Sequence, residues 1–239
     1  MNSSLHRSPG RLLALGLLLL LSTGCGSGGD PADPDVGKKH LQVYAHRGAR
    51  SFAPENTIPG YDTGLAIGTH WVDMDVVMTR DGEVLVSHDI RLNPDIWRCL
   101  YELQKLDARV KTAYLTEWDN EPGTPNSFFD PDPAKAGLWT GGVLVKDHGN
   151  SIPQMVKDLG GTCWEPEDVE LTKETLDEAH RLGLKVVVWT WPEHSGTVFD
   201  EALVSKLIDW GVDGIITDDP GRLISMLAAR GYALPASYR

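Results

Sequence analysis

The chain has 239 residues, with 34 acidic against 22 basic side chains and a formal charge of −12 at pH 7. That balance argues against nucleic acid or anionic lipid head groups as main partners, because both are bound through clustered Lys and Arg. It admits an anionic substrate only where a cation or local arginines offset it. Three cysteines are too few for a disulfide framework, and the length suits a single α/β domain behind a leader.

Residues 1–24 read as that leader. Arg7 and Arg11 stand without a nearby acid, a leucine-rich run follows, and Ser22, Thr23 and Gly24 precede Cys25. Small residues at that place mark a secretory cut. A cysteine directly after them resembles a bacterial lipoprotein signal, in which Cys25 becomes the lipidated first residue. Gly26 to Asp35 is rich in Gly, Pro and Asp, a disordered spacer by composition. The expected organisation is a signal over 1–24, a lipid-anchored tether over 25–40 and a folded domain over 41–239, held at the bacterial cell envelope outside the cytoplasm. Without the leader, 20 basic residues face 34 acidic ones, a formal charge of −14. Cys99 and Cys163 remain, and their pairing stays open.

The folded part alternates strand-like and helix-like pieces. Gln42 to His46 is a short strand. Thr57 caps a helix from Ile58 and Pro59 to near Gly68. WVDMDVVMT, 71–79, is a β-branched run, and the Asp81–Gly82 turn leads into EVLVSH, 83–88, as another strand. Leu100 to Leu106 reads as helix and Val110 to Thr116 as strand. Glu117 to Thr162 is loop-rich, with a weak strand near Thr162–Trp164. Thr172 caps a helix to about Leu182, KVVVWTW from Lys185 is a buried strand, Val198 to Trp210 is a helix ended by Gly211, DGIIT from Asp213 is the last strand and Arg222 to Arg230 the last helix. Strands and helices alternating at this spacing mean parallel β/α units.

Polar residues gather at the strand ends. His46 and Arg47 follow the first strand, and His88 and Asp89 end the third. Asp73 and Asp75 lie two apart on the second, which puts both on one side. Glu117 follows the strand at Val110, and Asp218 and Asp219 follow the last. In a β/α barrel the C-terminal strand ends form one mouth, where active sites sit. A lone His at a strand end is more often a turn or core residue, and a D-x-D pair is often a solvated face. Here, however, the two aspartates fall in an apolar strand, where an unpaired carboxylate is costly and a divalent cation would remove the cost.

AHRG…PENT, VDMDVVMTRDGEVLVSHD and GVDGIITDDP together resemble the glycerophosphodiester phosphodiesterase family, closely over Tyr44 to about Pro94 and well over Leu176 to about Arg222. The resemblance implies a barrel of the phosphatidylinositol-phospholipase-C type that cleaves glycerophosphodiesters to an alcohol and glycerol 3-phosphate. It implies His46 and His88 as the acid/base pair, a chemistry that suits imidazole near neutral pH. It implies Arg47 as the phosphate contact and Asp73 and Asp75 as ligands of a hard cation, Ca2+ or Mg2+. Asp73 stands where the family has a glutamate, which shortens one arm by a methylene. Glu55, the PENT glutamate, either buttresses Arg47 or holds the loop ahead of the helix cap. Trp191, and less so the core-like Trp189, offers an apolar wall for the alcohol.

One part of the pattern is missing. The family carries an E-x-K strand after the HD segment, whose glutamate is a third metal ligand, and no such strand follows NPDIWR here. Six clear strands and one weak one also fall short of eight. The expected fold is therefore an incomplete (β/α)8 barrel of the TIM type, with one or two central strand–helix units missing. Glu117, Glu165 and Glu193 are possible substitute ligands without the family's spacing. Two readings follow: a tethered metal-dependent phosphodiesterase, or a catalytically impaired relative with a binding or remnant role. A glycosidase is a poor third, because two carboxylates on adjacent same-face positions of one strand do not flank a glycosidic bond.

Overall fold

The computed structural model describes residues 37–78, 84–86, 105, 113–116, 128–137, 140–190 and 199–234. Eight strands are described: β1 Gln42–Ala45, β2 Trp71–Val72, β3 Val76–Met78, β4 Val84–Val86, β5 Ala113–Leu115, β6 Cys163–Glu165, β7 Lys185–Trp189 and β8 Gly214–Thr217. The helices are α1 Ile58–Ile67, α2 Pro133–Ala136, α3 Ile152–Asp158, α4 Lys173–Arg181, α5 Glu201–Trp210 and α6 Pro220–Ala229, with a 3-10 turn over Val145–His148. Six strands form one parallel sheet in the order β2-β1-β8-β7-β6-β5. It curls as an open, incomplete barrel of the TIM type. Among the described residues β2 and β5 are its two edges.

The helix boundaries follow from their caps. Thr57 accepts from Gly60 N–H, Pro59 sits in the first turn of α1, and Gly68 ends it at φ 97°. Thr172 and Thr175 exchange bonds in a capping box before α4. Asp200 caps α5 through the Ala202 and Leu203 N–H groups, so the helix expected from Val198 begins at Glu201. Asp219 accepts from Arg222 N–H and caps α6, which therefore begins at Pro220. The loop-rich stretch hides α3, announced by Ser151 at its N-cap and Pro153 in its first turn. The weak strand near Trp164 is β6, paired on both sides.

Alternation along the central strands builds two layers. Val43, Val186, Val188 and Ile215 face the helices and pack with Leu176, Ala179, Val204, Leu207, Leu223 and Leu227, all 3% exposed or less. Each such aliphatic side chain contributes about 1.5–3 kcal/mol through burial. Val187, Trp189 and Ile216 point to the inner face, joined by Tyr44, Leu115 and Cys163. Trp189 is thus core, and its Nε1–H donates to the Thr116 carbonyl at 3.1 Å.

The run 71–79 is not one strand. It stops at Val72, and after a three-residue break β3 starts at Val76. β3 then pairs with β4 as an antiparallel hairpin instead of extending the parallel sheet. The physical reason lies in the break. Asp73 N–H bonds the Ala45 carbonyl at 3.0 Å, while the carboxylates of Asp73 and Asp75 turn to the loop that follows β1. Cys163 is a free thiol. Cys99 and nearly all of the expected helix at 100–106 lie outside the described residues.

Candidate active site

At the end of β1 the chain makes a tight turn through Arg47 (φ 48°), Gly48 (φ 84°) and Ala49 (φ 60°), three successive left-handed residues. The two non-glycines each cost on the order of 1–3 kcal/mol, a strain that clusters at functional sites. The turn is closed by bonds from Gly48 N–H to Ala45 O (3.1 Å), Arg50 N–H to His46 O (3.2 Å) and Asn56 N–H to Arg47 O (2.9 Å). Gly48 is required twice over. Beyond its positive φ, a Cβ there would lie 2.8 Å from Gly60 C and Tyr61 N in α1.

His46 leaves this turn with Nδ1 2.6 Å from Asp218 Oδ1. Asp218 directly follows β8, the neighbour of β1, with Ala45 opposite Thr217. His46 is 8% exposed and Asp218 5%. The imidazole is therefore buried instead of standing free on the rim. With Nδ1–H donated to the carboxylate, Nε2 is left as the proton-exchanging atom. Asp219, the next residue, is spent on capping α6. The strand-end pattern flagged both aspartates and gave no sign of this division of labour.

Arg47 is buried too, its side chain 6% exposed. Its Nη1 donates to both Glu55 oxygens at 3.2 Å. Its Nε is 3.2 Å from Asp75 Oδ2 without a well-directed hydrogen bond, and its backbone N–H reaches Asp73 Oδ2 at 3.4 Å. Glu55 is thus engaged with Arg47. Asp75 Oδ2 also accepts from Asn56 Nδ2 at 3.0 Å, and Tyr61 donates to Asn56 Oδ1 at 3.1 Å. A second arginine, Arg50, was not singled out in the sequence. Its Nε lies 3.2 Å from Asp218 Oδ2 and its Nη1 3.8 Å from Glu55 Oε2. His88, Trp191, Glu117, Glu193 and Cys25 lie outside the described residues.

The acids respond to one another. Burial pushes the Asp73 carboxyl above the usual range; His46 draws it down and Asp75 pushes it up again. The Glu165 carboxyl, at the end of β6, is pushed well up by burial and then by Asp73 and Asp75. Asp73 and Asp75 therefore lie near enough to Glu165 to disfavour its charged form. A hard divalent cation is the ligand such oxygens suit, and it would relieve both the burial and the mutual repulsion. The donors fit that ion in kind and fall short in number. Among the described residues no three His, Cys, Asp or Glu side chains stand together closely enough to hold a metal, and Asp75 Oδ2 is already engaged.

Comparison with known proteins bears on this arrangement. The profile of the glycerophosphoryl diester phosphodiesterase family matches residues 46–119 and 143–222. A glycerophosphodiester phosphodiesterase of Bacillus subtilis is 34% identical over 41% of this chain, a match spanning 35% of that protein's length. The glycerophosphodiester phosphodiesterase of Caldanaerobacter subterraneus is 35% identical over 79% of this chain and 98% of its own. That alignment runs over 248 positions, while 79% of 239 is about 189, so roughly 60 positions of the relative face no residue here. In fold, the chain is similar to a glycerophosphoryl diester phosphodiesterase from Silicibacter pomeroyi (TM-score 0.59, 20% identity, 82% of this chain and 95% of that one). It is also similar to one from Galdieria sulphuraria (TM-score 0.54, 15% identity, 80% and 99%). With the family profile matched over more than half of its length, the chain belongs to the glycerophosphoryl diester phosphodiesterase family.

Proposed function

We propose that this chain hydrolyses glycerophosphodiesters to an alcohol and glycerol 3-phosphate, assisted by Ca2+ or Mg2+ at Asp73 and Asp75. The observation that carries the reading is the buried His46–Asp218 pair, which opens onto the Asp73/Asp75 acids in a member of this family. In the reaction water adds to phosphorus, the bond to the alcohol oxygen breaks, and that oxygen takes up a proton. His46 Nε2 exchanges one of the two protons, with Asp218 fixing the ring and stabilising its charged form. His88 takes the opposite role. The cation, when bound, would neutralise phosphate oxygens. Incubating the purified chain with glycerophosphocholine and measuring glycerol 3-phosphate, with and without a chelator, tests the proposal. Cation-dependent release supports it, and no release above the protein-free control sinks it.

A second reading, a weakly active or binding-only relative, is favoured by the absence of a three-donor cluster among the described residues. It predicts slow turnover and weak cation affinity. The reading also includes an envelope anchor at Cys25, supported by the leader pattern. One acyl chain anchors marginally, so stable attachment takes more than one. Cys25→Ser should move the protein to the soluble fraction, and membrane retention of that variant would refute the anchor.

A further inference from the structure

We infer that Tyr61 and Asn56 form a positioning relay that holds the Asp75 carboxylate for its cation. The inference rests on the phosphodiesterase reading, in which Asp75 ligates Ca2+ or Mg2+, and adds to it the residues that set the affinity.

Asp75 needs such a hold. It lies in the break between β2 and β3, outside both strands. Arg47 Nε stands 3.2 Å from Oδ2 without a well-directed hydrogen bond. The directed contact is from Asn56 Nδ2 to the same oxygen, at 3.0 Å. The amide is gripped in turn from its other end, because the Tyr61 hydroxyl on α1 donates to Asn56 Oδ1 at 3.1 Å. Phenol, amide and carboxylate thus form one chain of bonds, running from a capped helix to a candidate ligand. Accepting one bond does not bar Asp75 from a cation, since an ionised carboxylate has about four lone-pair sites. Outer partners of this kind orient ligands and tune the site they serve.

The alternative is that the Asn56 side chain merely ties the loop to α1. The loop has its ties already. Asn56 N–H bonds the Arg47 carbonyl at 2.9 Å, Thr57 Oγ1 donates to the Pro54 carbonyl at 2.7 Å, and the same oxygen accepts from Gly60 N–H to cap α1. Asn56 is also left-handed, at φ 55°. Glycine takes that conformation readily, and what asparagine adds to glycine is an amide. Here that amide is engaged by Asp75 and Tyr61. Burial, and then the charges of Asp75 and Asp73, push the Tyr61 hydroxyl up, which preserves the proton it donates.

The probes are Ca2+ and Mg2+, each titrated calorimetrically into the wild-type chain, Tyr61→Phe, Asn56→Gly and the double variant. Tyr61→Phe removes one hydroxyl, and Asn56→Gly suits the same backbone. For the tighter-binding ion, the expected Kd is weakened about 10-fold in Tyr61→Phe and about 10- to 100-fold in Asn56→Gly, the weight of outer partners at metal sites. The double variant should bind no more weakly than Asn56→Gly alone, because the hydroxyl acts through the amide. Excess cation should restore the hydrolytic rate of Tyr61→Phe, which it would not do for a purely structural loss. An unchanged Kd in both single variants overturns the inference, as does additive weakening in the double variant or a wild-type chain that binds neither ion. Relay-dependent cation binding without release of glycerol 3-phosphate would remove the hydrolytic reading and leave the relay standing. Cation-dependent hydrolysis with Kd unchanged in both single variants would do the reverse.

Discussion

His46 and Asp218 sit 172 residues apart, and the pairing of β1 with β8 brings them to 2.6 Å. His46→Ala should lower hydrolysis by ~10²–10⁴-fold, the usual weight of general acid–base catalysis. Because the ring is buried, that variant should also lose some stability, unlike a change at an open rim. Asp218→Asn keeps the shape and removes the charge that orients the ring. It should lower kcat by about 10-fold or more with the far-UV spectrum unchanged, and a kcat equal to wild type would remove Asp218 from the mechanism. The histidine was legible in the sequence because HRG is a local signal. The role of Asp218 was not, because Asp218 and Asp219 look alike until β8 meets β1 and α6 needs a cap.

Among the elements, the join of β7 and β8 depends on Asp213. It accepts from Lys185 Nζ at 2.6 Å, from Val186 N–H at 2.9 Å and pairs with His180 Nε2 at 2.9 Å. Burial pushes its carboxyl up, but the bonds from Lys185, Val186 and His180 outweigh that and hold it below the usual range. A depressed carboxyl stabilises the fold above its unfolded pKa and loses that contribution as pH falls through the folded one. Asp213→Ala should therefore destabilise by ~1–3 kcal/mol at pH 7, with the difference from wild type shrinking in urea melts taken toward pH 3. A difference independent of pH would show that the charge does nothing. Thr172→Ala should remove about 1 kcal/mol through the lost cap of α4, checked by the same melts. α1 and α4 were readable because their caps are local, whereas α3 was missed in the loop-rich stretch although Ser151 caps it. The strand 71–79 was not, because the bond from Asp73 N–H to Ala45 and the ties of Asp75 to Asn56 and Arg47 are tertiary and break it.

Across the whole molecule, the parallel sheet ends at β2 and β5 among its described strands, and roughly 60 positions of a relative have no counterpart. The shortage was visible in the strand count and in the missing E-x-K segment. What composition could not show was that Glu165, at the end of β6, feels the charges of Asp73 and Asp75. Edges unpaired among the described strands leave ladder groups open, so the expected stability is only marginal. Inserting a strand–helix unit that carries E-x-K after Arg98 should raise the urea midpoint and tighten cation binding. An insertion that lowers the midpoint would show that the short chain already has a closed core of its own.

We propose that this incomplete barrel carries a working phosphodiesterase site around His46. The most direct measurement is glycerol 3-phosphate released from glycerophosphocholine by the purified chain, beside His46→Ala, in the presence of Ca2+ or Mg2+. The expected result is slow release by the wild-type chain that falls by ~10²-fold or more in His46→Ala. Release by the wild-type chain no faster than by His46→Ala, or no release at all, would contradict it.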